Sequence, residues 1–406
     1  MGKEYDPEKD ILFITPREHI RKRPGMYFGG SDRRALHTLI SQITGIATSH
    51  AIQKNCNEFS ITLADNAQVI ISDNGLGMPV EVIEESQHQY FLTEYYLSNF
   101  GREKETNLYF ECPYFSRSLG LIAVNAVASE FHVEIKREGY LWGQSYEQGL
   151  PQTEFRQLRP LAPDESTGST VTFRPDFTIF EPNEFDYDYI ANRMNQVAYC
   201  VPELTITVSD ERSNHKHQSH TFHHPDGVAG FIQHLNRDFE TLHEPIVFSK
   251  KTQISGIGLY AGKPQDVIVD VAMQYINASH PAIFSYINGE YFSERSRFEL
   301  EFIKCVEQAI SRPKNWVESS FERHFIKTED MMSGLTAVIS IWHPDVQFEG
   351  AIRSKLLNPE PTTLIHDGVP EALQTFRDSQ PEQYQRIIAH IEAQMHTRDR
   401  RRRVEL

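Results

Sequence analysis

The sequence predicts an α+β fold in two domains, and three observations carry that reading. Alternating apolar runs such as FSITLADNAQVIISDNG mark strands, because side chains of a strand point to opposite faces in turn. Runs such as LHTLISQITGIATSHAI place apolar residues at helical spacing and mark amphipathic helices that must cover a sheet. The third is length: 406 residues exceed what one compact core usually holds. The division is set at residues 1–220 and 221–406.

The first domain opens with a polar arm. Leu36, Leu39, Ile40, Ile43, Ile46 and Ala47 then define one face of a helix. A hairpin follows, with Asp65 and Asn66 in its turn, and it ends in the loop Gly75, Leu76, Gly77, Met78, Pro79. LGLIAVNAVAS is a second helix, and FHVEIKREGYLWGQSYEQG and GSTVTFRPD are strands, so helices lie on one face of a mostly antiparallel sheet. After the strand LTITVSD, the histidine-rich stretch SDERSNHKHQSHTFHHPDG reads as a surface connection. His215, His217, His220, His223 and His224 have no acidic or cysteine partner that would define a metal geometry. The second domain contains a helix from Phe231, strands in IVFSKK, VIVDVAMQYI and LTAVISIWHP, a helix in FELEFIKCVEQAI, and a closing helix from about Glu382 to Arg401.

Composition narrows the function classes. No apolar run approaches the ~20 residues of a membrane helix, and the opening MGKEYDPEKD is too charged for a signal peptide, so a cytoplasmic protein is expected. Cys56, Cys112, Cys200 and Cys305 lie far apart, with neither zinc-site pairs nor the density of a disulfide framework. A net charge of −16 opposes wrapping of nucleic acid, which needs a positive surface. The exception is the terminal run Arg398 and Arg400 to Arg403, a basic tail that offers contact to DNA or an acidic partner, or caps a solvated helix end.

Five blocks in order, IRKRPGMYFGG from Ile20, VIISDNGLGMP from Val69, AVNAVAS from Ala123, GSTVTFRPD from Gly168 and EDMMSGLTAVISIWHPDVQFEG from Glu329, resemble the ATPase region of DNA gyrase B and its topoisomerase relatives, members of the GHKL superfamily. The resemblance implies a Bergerat-fold α/β sandwich with an N-terminal arm, followed by a transducer domain of ribosomal protein S5 domain 2-like fold. It also implies that the chain stops where the ATPase half ends, without a TOPRIM domain or the acidic metal cluster of DNA cleavage.

The resemblance also locates what this sequence changes. A family helix carries a Glu that acts as base and, four residues on, an Asn that coordinates magnesium; the matching positions are Gln42 and Ile46. An amide has no proton affinity near neutral pH, and a methyl surface offers a hard cation no oxygen. Acidic positions farther along that helix are Ser49 and His50. The family's glycine-rich phosphate run corresponds to YFSRSLG from Tyr114, in which Gly120 alone is kept, and the preceding lid segment is expected to pack through Leu108, Tyr109 and Phe110. After F-E-G, where the family presents Gln and Lys to the γ-phosphate, this chain has Ala351, Ile352 and Arg353. Arg353 retains the bidentate guanidinium suited to phosphate.

Asp73 matches the family's adenine-binding Asp, Gly77 follows at the family spacing, and Ser169 or Thr170 would complete a water-mediated contact to the base. Asp73, Gly75 and Gly77 also suit a plain turn, since Asp caps and Gly takes positive φ without any ligand. The expectation is a pseudo-ATPase that acts as a binding or regulatory module, with no resident cofactor or metal, or with ATP held without hydrolysis. The alternative is an ATP-binding component or switch of a topoisomerase-like assembly. Tyr5 and Asp6 resemble the arm that crosses between protomers, so the expected partners are a second copy, a gyrase-type subunit or another protein, with DNA at the basic tail and no membrane.

Overall fold

The computed structural model describes residues 14–85, 88–99, 120–256, 262–279, 281–292, 296–311, 326–349 and 355–404. The chain divides into two compact units, residues 1–194 with 204–222, and residues 195–203 with 223–406.

The first unit is a twisted mixed sheet backed by helices. Its strands are β1 (Glu58–Ala64), β2 (Gln68–Asp73), β5 (Ala128–Arg137), β6 (Tyr140–Glu147), β7 (Leu150–Pro151), β8 (Arg156–Pro160), β9 (Gly168–Pro175), β10 (Thr205–Asp210) and β11 (Gln218–Phe222). A separate hairpin is formed by β3 (Val82–Glu85) and β4 (His88–Phe91). The order in the main sheet is β11-β10-β1-β2-β9-β5-β6-β7, with β8 also paired to β6; β1 runs parallel to β10, and the other pairs are antiparallel.

Alternation sets the two faces. Phe59, Ile61 and Leu63 of β1, Val69 and Ile71 of β2, Val133 and Ile135 of β5, and Val171 and Phe173 of β9 are all buried. The helices are α1 (Pro16–Lys22), α2 (Pro24–Phe28), α3 (Arg33–Ile52), α4 (Leu92–Ser98), α5 (Gly120–Val127) and α6 (Tyr187–Cys200), the last of which runs on into the second unit. α3 is capped by Asp32, whose carboxylate accepts the Arg34 and Ala35 N–H groups. All eight residues of α5 are buried, which needs a sequence apolar all round. Arg21 of the RKRPGMY block donates to the Ala126 carbonyl at 2.8 Å and to Asp176 at 2.7 Å, tying α1 to the end of α5 and the end of β9.

The histidine-rich stretch is not only a connection. It contains β11, an edge strand paired to β10 through Ile206 with Phe222 and Ser209 with Ser219. Hydroxyl and imidazole side chains hide the alternation that marks a strand. His215 reaches Glu184 at 2.9 Å and His220 reaches the Tyr187 hydroxyl at 2.7 Å, so in the first unit these histidines are occupied by neighbours.

The second unit is a five-stranded sheet of order β12-β13-β16-β14-β15, from β12 (Ile246–Ser255), β13 (Pro264–Tyr275), β14 (Ala282–Ile287), β15 (Glu290–Phe292) and β16 (Leu335–Trp342). Its helices are α7 (Gly227–Asn236), α8 (Arg297–Ser311), α9 (Thr328–Met332), α10 (Glu360–Ser379) and α11 (Pro381–Val404). Every residue of β16 is buried, and Val269, Val271, Phe302, Ile339, Ile365 and Ile387 belong to one continuous core. Arg398, which the sequence assigns to the basic tail, turns back instead to an ion pair with buried Asp330, while Arg400 is exposed. No helix is long and apolar enough to cross a membrane among the described residues.

Candidate functional site

Gln42, Ile46, Ser49 and His50 share one side of α3 and are all buried. At ~1.5 Å rise per residue, Ile46 lies about 6 Å along the axis from both Gln42 and His50. The face therefore runs as amide, methyl surface, hydroxyl and imidazole, without a carboxylate. The Gln42 Oε1 atom accepts no hydrogen bond among the described residues, and a buried acceptor left unmade is expensive.

At the imidazole end α3 meets the loop that leaves β2. Asp73 Oδ1 accepts the Gly75 N–H at 2.8 Å. Burial holds this carboxyl above the usual carboxylate range, against the pull of the nearby His50 charge and of the Gly75 and Ser169 N–H groups. A Cβ placed on Gly75 would stand 2.8 Å from Asp73 Oδ1, 2.9 Å from His50 Nδ1 and 3.6 Å from Cys56 Cβ, so three side chains crowd one glycine. The Cys56 thiol donates to the Glu58 carbonyl, and burial pushes it up to about 12, so it is no nucleophile.

The rest of the loop is clamped from the sheet. The Ser169 hydroxyl accepts the Met78 N–H at 2.9 Å, Thr167 donates to the Gly75 carbonyl at 2.7 Å, and Arg137 donates to the Gly77 carbonyl at 2.8 Å while pairing with Glu81. Gly77 has φ +76° and a Cβ there would lie 2.8 Å from the Lys136 carbonyl; at Gly168, φ +151°, it would lie 2.1 Å from the Asp73 carbonyl oxygen. These glycines are required by contacts within the protein.

Asp73, Gly77 and Ser169 thus meet at the ends of β2 and β9, with His50 opposite, and Gln42 and Ile46 continue the same helix face. Gly120, with φ +58°, is the buried first residue of α5, which packs on α3. Arg353, Tyr5, Asp6, Tyr114, Phe115 and the segment through Leu108 to Phe110 lie outside the described residues. Thr167 and Arg137 carry no signal of their own in the sequence, because nothing local distinguishes a loop clamp from an ordinary strand end. A depression of about 500 Å³ is lined by Ser60, Ser72, Glu134, Thr170 and Thr207 of the sheet and reaches the loop at Asp73, Thr167 and Gly168. Among the described residues no group of three or more His, Cys, Asp or Glu side chains could hold a metal ion.

A helix-backed mixed sheet with a loop of this kind, followed by a second α+β unit, defines the class of GHKL ATPase regions, and the chain is similar to that class over nearly its whole length. The particular relative is DNA gyrase B, whose family model matches residues 227–405. The gyrase B protein of Haloferax volcanii is 30% identical over 93% of this chain and 57% of its own length, and that of Thermotoga maritima is 28% identical over 98% and 61%. The 43K ATPase domain of Thermus thermophilus gyrase B, crystallised with an aminocoumarin, superposes with a TM-score of 0.74 at 25% identity, covering 96% of this chain and 97% of that one. The B-subunit of the DNA gyrase from Myxococcus xanthus gives 0.71 at 22% identity over 91% of this chain and 99% of that one, a likeness of fold alone. The chain spans a little under three fifths of the length of these and similar gyrase B relatives.

Proposed function

We propose that this chain is a gyrase-B-like pseudo-ATPase that acts by binding, as a regulatory module that pairs with itself or with a gyrase-type subunit. The observation that carries this reading is the buried α3 face of Gln42, Ile46, Ser49 and His50. Hydrolysis needs a group that takes a proton from water and a cation that neutralises the transferred phosphoryl. Gln42 cannot take the proton, and Ile46 offers methyl groups where a cation needs oxygen, so magnesium-ATP does not fit these positions.

The loop at Asp73 points the same way. Its glycines are explained by Asp73, His50, Lys136 and one another, and its carboxylate already accepts backbone N–H groups. What is kept is therefore the scaffold, whose large surface remains available to a partner. The basic residues Arg400 to Arg403 are the candidate point of contact with DNA.

Phosphate release from magnesium-ATP, followed on the purified chain beside a calorimetric titration, tests the reading. Release at the background rate is expected. Magnesium-dependent turnover that disappears in Gln42→Ala would sink it, while tight binding without turnover would make the chain a nucleotide-gated clamp. Co-purification with gyrase subunits is the expected outcome for the partner, and a clean pull-down lacking them would end the gyrase-directed version.

A further inference from the structure

We propose that the first unit carries a separate small-molecule site, at the turn between β1 and β2, and that it takes a neutral nucleoside: a flat heterocyclic base without phosphate. The inference goes beyond the pseudo-ATPase reading and does not rest on it.

Four observations converge on this turn. A depression of about 420 Å³, a size that encloses small molecules, is lined on its apolar side by Leu63, Ala67, Phe177 and Phe185. Leu63 and Phe185 are buried, whereas Phe177 keeps 36% of its surface exposed, so the fold leaves an aromatic wall uncovered. Four side-chain amides, Asn66, Gln68, Asn183 and Asn214, line the same depression, and among the described residues none of them makes a hydrogen bond within the protein. The rim itself is the fourth observation. Asn66 and Ala67 both have left-handed backbone, φ +59° and +57°, a conformation that costs an alanine energy. Asp65 holds the turn in that shape by accepting the Ser213 N–H at 2.8 Å and its hydroxyl at 2.9 Å.

The lining selects the ligand class. A primary amide sets a donor beside an acceptor, the pair with which Asn and Gln read the edge of adenine. An aromatic wall stacks a flat ring, the way unpaired bases are held on proteins. Charge excludes the phosphorylated form. Arg212 is the one cation among the described residues that line the depression, and its guanidinium is taken up by Asp210 at 2.8 Å and by the Phe185 carbonyl at 3.0 Å. Asp65 and Glu184 add carboxylates, which repel a phosphate. Gln68 and Asp73 stand at opposite ends of β2, about 17 Å apart for the spacing of a strand, so this depression and the Asp73 loop are distinct places.

Adenosine is the probe. Calorimetry on the full chain is expected to give a Kd below about 1 mM, weakened at least about tenfold in Phe177→Ala and in Gln68→Ala and unchanged in Asp73→Asn. Adenosine monophosphate should bind at least about tenfold more weakly than adenosine, and ribose should give no heat. Absence of adenosine binding would end the proposal. So would binding that Asp73→Asn abolishes and Phe177→Ala keeps, because the nucleoside would then sit at the other end of β2. Equal affinity for the monophosphate, or ribose binding as tightly as adenosine, would overturn the ligand class.

Asn214→Ala guards against misfolding, since this side chain lies on the exposed rim and its loss should leave the melting temperature unchanged. Its affinity for adenosine is expected to fall at least about threefold, the worth of one hydrogen bond. Parental affinity in all three depression variants would overturn the site. None of these measurements follows phosphate release, so the two readings fail separately.

Discussion

His243 has both ring nitrogens committed inside the second unit. Nδ1–H donates to the Glu244 carbonyl at 2.6 Å and Nε2 accepts the Tyr275 N–H at 2.8 Å, while the His243 carbonyl accepts from Gln274, itself bonded to Asn236. Burial pushes this imidazole from 6.5 down to about 4. The folded state therefore prefers the neutral ring. Stability is complete above pH 6.5 and falls as the pH drops towards 4, because the unfolded chain takes up the proton first. The loss is at most about 3 kcal/mol at ~1.4 kcal/mol per pH unit. His243→Gln keeps an acceptor for Tyr275 and cannot be protonated, so the difference between urea midpoints at neutral and mildly acid pH should shrink; an unchanged difference would assign the acid sensitivity elsewhere. Gly168→Ala has a different cause: its Cβ would overlap the Asp73 carbonyl oxygen, and a loss of at least ~2 kcal/mol is expected by denaturant unfolding. At this scale spacing makes Asp73, Gly77 and Ser169 visible in the sequence. The contact of Gly168 with Asp73 and the closeness of His50 to the same loop stay hidden, because residues from helix, loop and strand meet only once the sheet registers.

Among the elements, α3, the hairpin of β1 and β2, α5 and β16 are legible because their periodicity is strong and their burial is one-sided or complete. α10 escapes such a reading, although it has twenty residues. Gly368 and Pro370 sit in its middle and act as breaker signals. The structure explains both. Gly368 lies against Phe248, where a Cβ would come within 2.3 Å of the ring, and Pro370 is on the exposed side, opposite Leu364, Ile365, Val369 and Leu373. Tertiary packing has overruled local propensity. Pro370→Ala restores a backbone N–H on the solvent side and should raise stability by about 1–3 kcal/mol, whereas Gly368→Ala should lower it by a similar amount through overpacking. Guanidinium unfolding of both variants checks the pair, and stabilisation by Gly368→Ala would mean that α10 and β12 are not in such close contact.

For the whole molecule, the line drawn at residue 220 and the compact units differ chiefly in one respect: residues 195–203, at the end of α6, belong with the later part of the chain. A helix that serves both units shows no break in pattern, so sequence alone offers no reason to divide it. The same limit applies to function, since the departures from the gyrase B pattern that the proposed pseudo-ATPase reading invokes lie in three separate stretches of sequence, around Gln42, before Gly120 and at Arg353. That spread yields the last prediction. Restoring two residues with Gln42→Glu and Ile46→Asn should not restore hydrolysis, because the phosphate run and the loop at Arg353 remain altered. It should instead lower stability: Gln42 and Ile46 are 1% and 4% exposed, and a carboxylate and an amide without partners there cost roughly 2–5 kcal/mol together. Phosphate release and denaturant unfolding on the same double variant separate the two effects. Background release with a lowered midpoint is the expected result, whereas magnesium-dependent turnover would place the entire defect on one face of α3 and leave the rest of the site competent.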